Sequence, residues 1–154
     1  HQMLYQSKNL SSINLGEYLR SLADTVCQAW AGQGTLPVCE IIMDDVQLTI
    51  DMAIPLGLVY NECLSNSLKY AFNDVAMPRI TISGRINGDS VELGYADNGS
   101  GLPAGFDAGK CQTFGMRSIA GIIEHQLQGK MEVISGEGLQ YLFVLDIARF
   151  RERV

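Results

Sequence analysis

The sequence is poor in the features that define several large classes of protein. Its 154 residues include only 4 prolines, 1 tryptophan and 18% charged side chains, against 47% hydrophobic residues. That balance excludes a disordered tail. No apolar run approaches the ~20 residues that a membrane-spanning helix needs. The 4 cysteines, Cys27, Cys39, Cys63 and Cys111, stand singly with no CxxC pair. Their even number allows two disulfides, but a core of this size needs no such staples, and reduced thiols in a cytoplasmic protein are expected. Basic residues are the minority. Eleven Lys and Arg against 17 Asp and Glu leave a net charge of -6, which argues against salt-driven binding of nucleic acid. Neither GxxxxGK[ST] nor GxGxxG occurs, so the P-loop and the dinucleotide fingerprint are both missing. The chain also lacks an initial Met and a signal peptide; beginning HQMLYQS, it reads as a piece of a longer protein.

What remains fits one domain with a single core. After a polar lead-in, NLGEYLRSLADTVCQAW places Leu15, Leu19, Leu22, Val26 and Trp30 at helical spacing, with Asn14 as N-cap and Gly32 and Gly34 as terminators. CEIIM and VQLTI read as two strands around a tight Asp44-Asp45 turn. A long helix is expected from about Ala53 to Phe72, with Pro55 in its first turn. MPRITISGRI and SVELGYAD form a hairpin at Asn87-Gly88-Asp89. Another helix runs from Phe114 towards Gly129, and KMEVIS and LQYLFVLDI close the chain as a strand pair. Strand pairs alternating with helices imply an α+β sandwich. We expect a mixed, largely antiparallel sheet of about five or more strands, with about three helices on one face.

Three groups of residues carry chemistry. On the long middle helix, Glu62 and Asn66 are four apart and share a face, and Lys69 and Tyr70 extend it by a turn. A carboxylate can position or deprotonate a hydroxyl or water. A neutral amide oxygen suits Mg²⁺, a lysine suits phosphate, and a tyrosine offers a flat face to a base. A solvated polar stripe would have the same composition. Next, Asp97-Asn98-Gly99-Ser100-Gly101 follows a strand end, where glycines admit positive φ and close backbone approach. There a carboxylate can accept a hydrogen bond from an exocyclic amine; a plain glycine turn is the alternative. The third group is the run from Gly105 to Gly115, opening into a helix whose N-terminus suits phosphate.

In this order, the three groups closely resemble the ATP-binding domain shared by sensor histidine kinases, gyrase, Hsp90 and MutL. NECLSNSLKY resembles the N box of that superfamily, DNGSG its first glycine box, TFGM a shortened second one, and SGEGLQYLFVLD its closing motif. HQMLYQSKNLSSINLGEYL and AIPLGLVYNECLSNSLKYAF further resemble histidine kinases of the second dimerisation subfamily. The resemblance implies residues 1–12 as the tail of a dimerisation helix and 13–154 as the ATP-binding catalytic domain. It also implies Glu62 as the residue that orients or activates the attacking group, Asn66 as Mg²⁺ ligand and Lys69 at the phosphates. Tyr70 would pack near adenine, Asp97 would bond its amine, Gly99 and Gly101 would shape the base pocket, and Gly115 and Met116 would meet phosphate. The sequence departs from the family in three places: Gly115 stands alone in TFGM, Phe106 is the sole aromatic of a short lid, and Leu139 replaces a common threonine.

The implied activity is donation of the γ-phosphoryl group of Mg-ATP to a histidine of an upstream dimerisation domain, and onward to a response regulator. Only His1 and His125 are present, and neither is expected to be the acceptor; His125 reads as a surface or packing residue. The chain alone is therefore expected to bind ATP without phosphorylating itself. Two other uses of the same fold stay open: a non-catalytic ATP-sensing module, and a serine kinase of the anti-sigma-factor type.

Overall fold

The computed structural model describes residues 12–102 and 114–148. The lead-in to residue 11 and the glycine run containing Phe106 lie outside them. In chain order the elements are β1 (Ile13–Asn14), α1 (Leu15–Ala29), β2 (Val38–Met43), β3 (Gln47–Leu48), α2 (Ile50–Asn66), β4 (Arg79–Asn87), β5 (Ser90–Asp97), α3 (Phe114–Ala120), β6 (Lys130–Gly136) and β7 (Gly138–Asp146). The main sheet has five strands in the order β2-β4-β5-β7-β6. Only β2 and β4 run parallel; every other neighbouring pair is antiparallel. Three helices cover it, completing the expected α+β sandwich.

Alternation decides which face of each strand is buried. On β5 the inward residues are Val91, Leu93, Tyr95 and Asp97, and on β7 they are Tyr141, Phe143 and Leu145. Tyr95 pairs with Tyr141 and with Ile82 of β4, so apolar rows cross the sheet. Against these rows lie Leu15, Leu19, Ala23 and Val26 of α1 and Met52, Leu56, Val59, Tyr60 and Cys63 of α2, all buried. The centre is aromatic. The Tyr60 ring meets those of Tyr95 and Phe143 edge-on, at centroid distances of 6.2 and 6.0 Å.

Two expectations need correcting. CEIIM and VQLTI do not form a hairpin. The second run shrinks to Gln47–Leu48, which pairs with Ile13–Asn14, while β2 pairs in parallel with β4. The acidic turn is committed elsewhere: Asp44 accepts the Ile86 N–H at 2.8 Å, and Asp45 accepts from Asn14 and Gln47. Thr49 takes the N-cap position of α2 without a side-chain cap bond, and the helix starts at Ile50, earlier than Ala53. Pro55 is thus the sixth helical residue and not in the first turn. Lacking an N–H, it leaves the Asp51 carbonyl without the usual helical donor.

Both long helical stretches also loosen at their ends. Past Asn66 the backbone continues as a π-helical turn over Ser67–Ala71, and past Ala120 as another over Gly121–Gln126. The N-cap at Asn14 is as expected, its side chain accepting the Glu17 N–H at 2.9 Å. Asn14→Ala should therefore lower stability by about 1 kcal/mol, measured from urea unfolding midpoints at constant slope.

Candidate functional site

The Asp97 carboxylate organises the open end of the sandwich. It is the last inward residue of β5 and is 8% exposed. Its Oδ1 accepts the backbone N–H of Gly99 at 3.0 Å and of Leu139 at 3.1 Å. Its Oδ2 accepts the Ser67 hydroxyl at 2.7 Å, and Ser67 in turn accepts the Tyr95 hydroxyl at 2.7 Å. A loop, strand β7 and the end of α2 therefore all converge on one side chain. Gly99 must be glycine because a Cβ there would strike Ala71, whose carbonyl also accepts the Ser100 N–H at 3.0 Å. Gly138 has φ +103°, and its missing Cβ would fall on the Asp97 carbonyl.

Above Asp97 lies a cavity of about 440 Å³. Glu62, Asn66, Lys69 and Tyr70 line it from α2 and its π-helical extension, and Gly115 and Met116 line it from α3. Asp97 and Gly101 line it as well, with Gly101 at φ +72°. The polar stripe on α2 is thus a cavity wall. Glu62 and Asn66 converge on Gly115: a Cβ placed there would be 2.8 Å from Glu62 Oε1 and 2.7 Å from Asn66 Nδ2. A larger residue there would push both side-chain ends aside. Lys69 is exposed, and Tyr70 is 70% exposed at the rim. Gly99 does not line the cavity; it shapes the loop by packing on Ala71.

No family model matches the chain. Blue-light-activated histidine kinase 2 of Erythrobacter litoralis is 26% identical over 132 residues, spanning 80% of this chain and 38% of that protein. The histidine kinase domain of a blue-light-activated histidine kinase from Erythrobacter litoralis superposes with a TM-score of 0.77 at 23% identity, over 96% of this chain and 71% of that one. The catalytic domain of histidine kinase ThkA gives 0.71 at 16% identity, over 88% and 95%. This is the histidine-kinase catalytic fold. The chain spans about two-fifths of the curated relative's length, 38%.

Within this histidine-kinase fold, several lining residues were not singled out from sequence. Ser67, Tyr95 and Tyr141 all line the cavity. Period-two alternation back from Asp97 reaches Tyr95 and was the available signal. Leu139, noted only as a departure, supplies both an N–H to Asp97 and a cavity wall. His125 is exposed, as expected.

Asn66 and Glu62 form an oxygen-bearing pair of the kind that suits a hard cation. Among the described residues no group of three or more His, Cys, Asp or Glu could hold a metal ion. Alone the pair offers fewer ligands than such a cation takes, so a cation held there would need further oxygens from elsewhere.

Burial pushes the hydroxyls of Tyr60 and Tyr95 and the thiol of Cys63 well above their ordinary values of 10 and 9. In the unfolded chain these groups ionise first, so alkali favours unfolding. Their contribution is fully present below pH ~9 and is lost as pH rises, at up to about 1.4 kcal/mol per unit per group. Urea midpoints should hold flat from neutrality to pH ~9 and then fall steeply. Gly138→Ala should cost roughly 1–3 kcal/mol in the same assay. Gly136→Ala, with open space around the new methyl, should change little.

Proposed function

We propose that the cavity binds ATP with Mg²⁺ and that the chain is the catalytic domain of a histidine kinase acting in two-component signalling. The observation that carries this reading is convergence. Residues from the N-box-like helix, the DNGSG loop and the TFGM segment, distant in sequence, line one cavity over a fixed carboxylate. Asp97 accepts the adenine amine, with Gly101 at the base and Tyr70 packing from the rim. Gly99 holds the loop in shape. Lys69 reaches the phosphates, and Gly115 and Met116 meet them at the start of α3, whose dipole favours an anion. Asn66 would hold Mg²⁺, which supplies charge neutralisation across the phosphate chain. Glu62, beside Asn66, orients the attacking group.

The acceptor would be a histidine of an upstream dimerisation domain in the full protein, with an aspartate of a response regulator after it. Ile50, Ile54 and Leu58, four apart and about half exposed, make an apolar ridge that runs along α2 to within a turn of Glu62. An acceptor-bearing helix can lie against such a ridge. Phosphoryl transfer rests on positioning, so this chain alone binds ATP and does not phosphorylate itself. The reading places the domain in the cytoplasm, where ATP is. Among the described residues no helix is long and apolar enough to cross a membrane.

Calorimetric titration of ATP with Mg²⁺ tests the reading. Micromolar-range binding is expected, with Asp97→Asn abolishing it and Asn66→Ala removing its Mg²⁺ dependence. Absence of binding by the unaltered chain would refute the proposal.

A further inference from the structure

Ser67 is 4% exposed and sits where α2 passes into its π-helical turn. A helical serine commonly returns its hydroxyl proton to the carbonyl four residues back, here that of Cys63. That acceptor already takes the Ser67 backbone N–H and lies 3.1 Å from the Tyr95 hydroxyl, whose single proton is shared with the shorter contact to Ser67. Tyr95 also lies 2.7 Å from Ser67 Oγ as a donor. The serine oxygen therefore accepts from Tyr95, and its one proton goes to Asp97 Oδ2 at 2.7 Å.

The consequence reaches the cavity floor. Asp97 Oδ1 is occupied by two backbone N–H groups, and Oδ2 by Ser67. The carboxylate plane is fixed from three directions, and Oδ2 keeps acceptor capacity on a side chain that lines the cavity. The protons of Tyr95, Ser67, Gly99 and Leu139 are all directed at protein acceptors. These groups offer an incoming ligand an acceptor and no donor.

We propose that Ser67, backed by Tyr95, is a specificity-determining positioning residue: it fixes Asp97 so that the site selects a purine carrying an amino group at the edge that meets it over one carrying a carbonyl. This rests on the reading that the cavity takes a purine nucleotide. A carbonyl there would face a carboxylate oxygen with no proton between them. Sites built for a hydrogen bond reject the mismatched analogue strongly, because buried polar groups are left unpaired. Ser67 acts through Asp97, so its signature is a ratio of affinities and not a general loss.

The test compares ATP with inosine triphosphate, which replaces the 6-amino group by a carbonyl, in calorimetric titrations with Mg²⁺. The unaltered chain should prefer ATP by at least ~100-fold. Ser67→Ala should reduce that preference by ~10-fold through loss of ATP affinity alone, while Ser67→Thr, which keeps the hydroxyl, preserves it. Tyr95→Phe should reduce it by a smaller factor, since the serine proton then gains the Cys63 carbonyl as a rival acceptor. If Ser67→Ala weakens both nucleotides equally, or leaves the ratio unmoved, the proposal is overturned. Equal affinity for the two nucleotides in the unaltered chain overturns it too, while leaving the nucleotide cavity standing. Binding of neither removes both readings.

Discussion

A carboxylate buried at the end of a strand is costly to place unless its lone pairs are satisfied, and most of the open end of this fold follows from satisfying one. Asp97 takes an N–H from its own loop, an N–H from β7 and a hydroxyl from α2. Each donor constrains its element. The loop must turn tightly enough to bring Gly99 back, so it packs against Ala71 where only glycine fits. Strand β7 must begin at a glycine with positive φ to bring Leu139 within reach. The end of α2 must present Ser67 inward, and there the helix widens from α to π. Among the described residues no buried side-chain nitrogen or oxygen lacks a partner, so this knot is closed without residual cost.

The second constraint is the close approach of α3 to α2 at Gly115. Glu62 and Asn66 lie on one face of α2, and the missing side chain at Gly115 lets the backbone of α3 come up against both. A carboxylate, an amide and the first turn of a helix are thereby gathered at one wall of the cavity, opposite in character to its aromatic and aliphatic floor. That contrast suits a ligand with a flat ring at one end and anionic groups at the other.

Much of this was legible in the sequence, and the reasons are local. Asn14 announces a helix because its cap bond reaches only three residues ahead. Asn87-Gly88-Asp89 announces a hairpin because the turn sets the strand register by itself, Asn87 opposite Ser90. The spacing of Glu62 and Asn66 needs nothing beyond helical periodicity. What escaped was non-local. VQLTI reads as the partner of CEIIM because adjacent strands usually pair, and nothing in either run reveals that Asp44 will bind Ile86. Ser67 and Tyr95 gain their roles from a strand and a helix meeting across 28 residues of sequence.

The lone parallel pairing carries a consequence for how the molecule is assembled. Val38 of β2 finds its register opposite Arg79 of β4, with α2 between them. On a ribosome, α1 and β2 emerge well before their neighbour in the sheet exists, whereas β4 and β5 close as a hairpin on their own. Local pairings form early and parallel ones late, because closing the intervening loop costs entropy before any contact repays it. The β4–β5 hairpin can thus close locally, whereas β2 must wait for β4 before it docks. Until then β2 is a bare strand with Val38 and Ile42 uncovered, and both are still exposed at the sheet edge after docking. Protein made at high concentration would lose yield through that strand first, by association between chains.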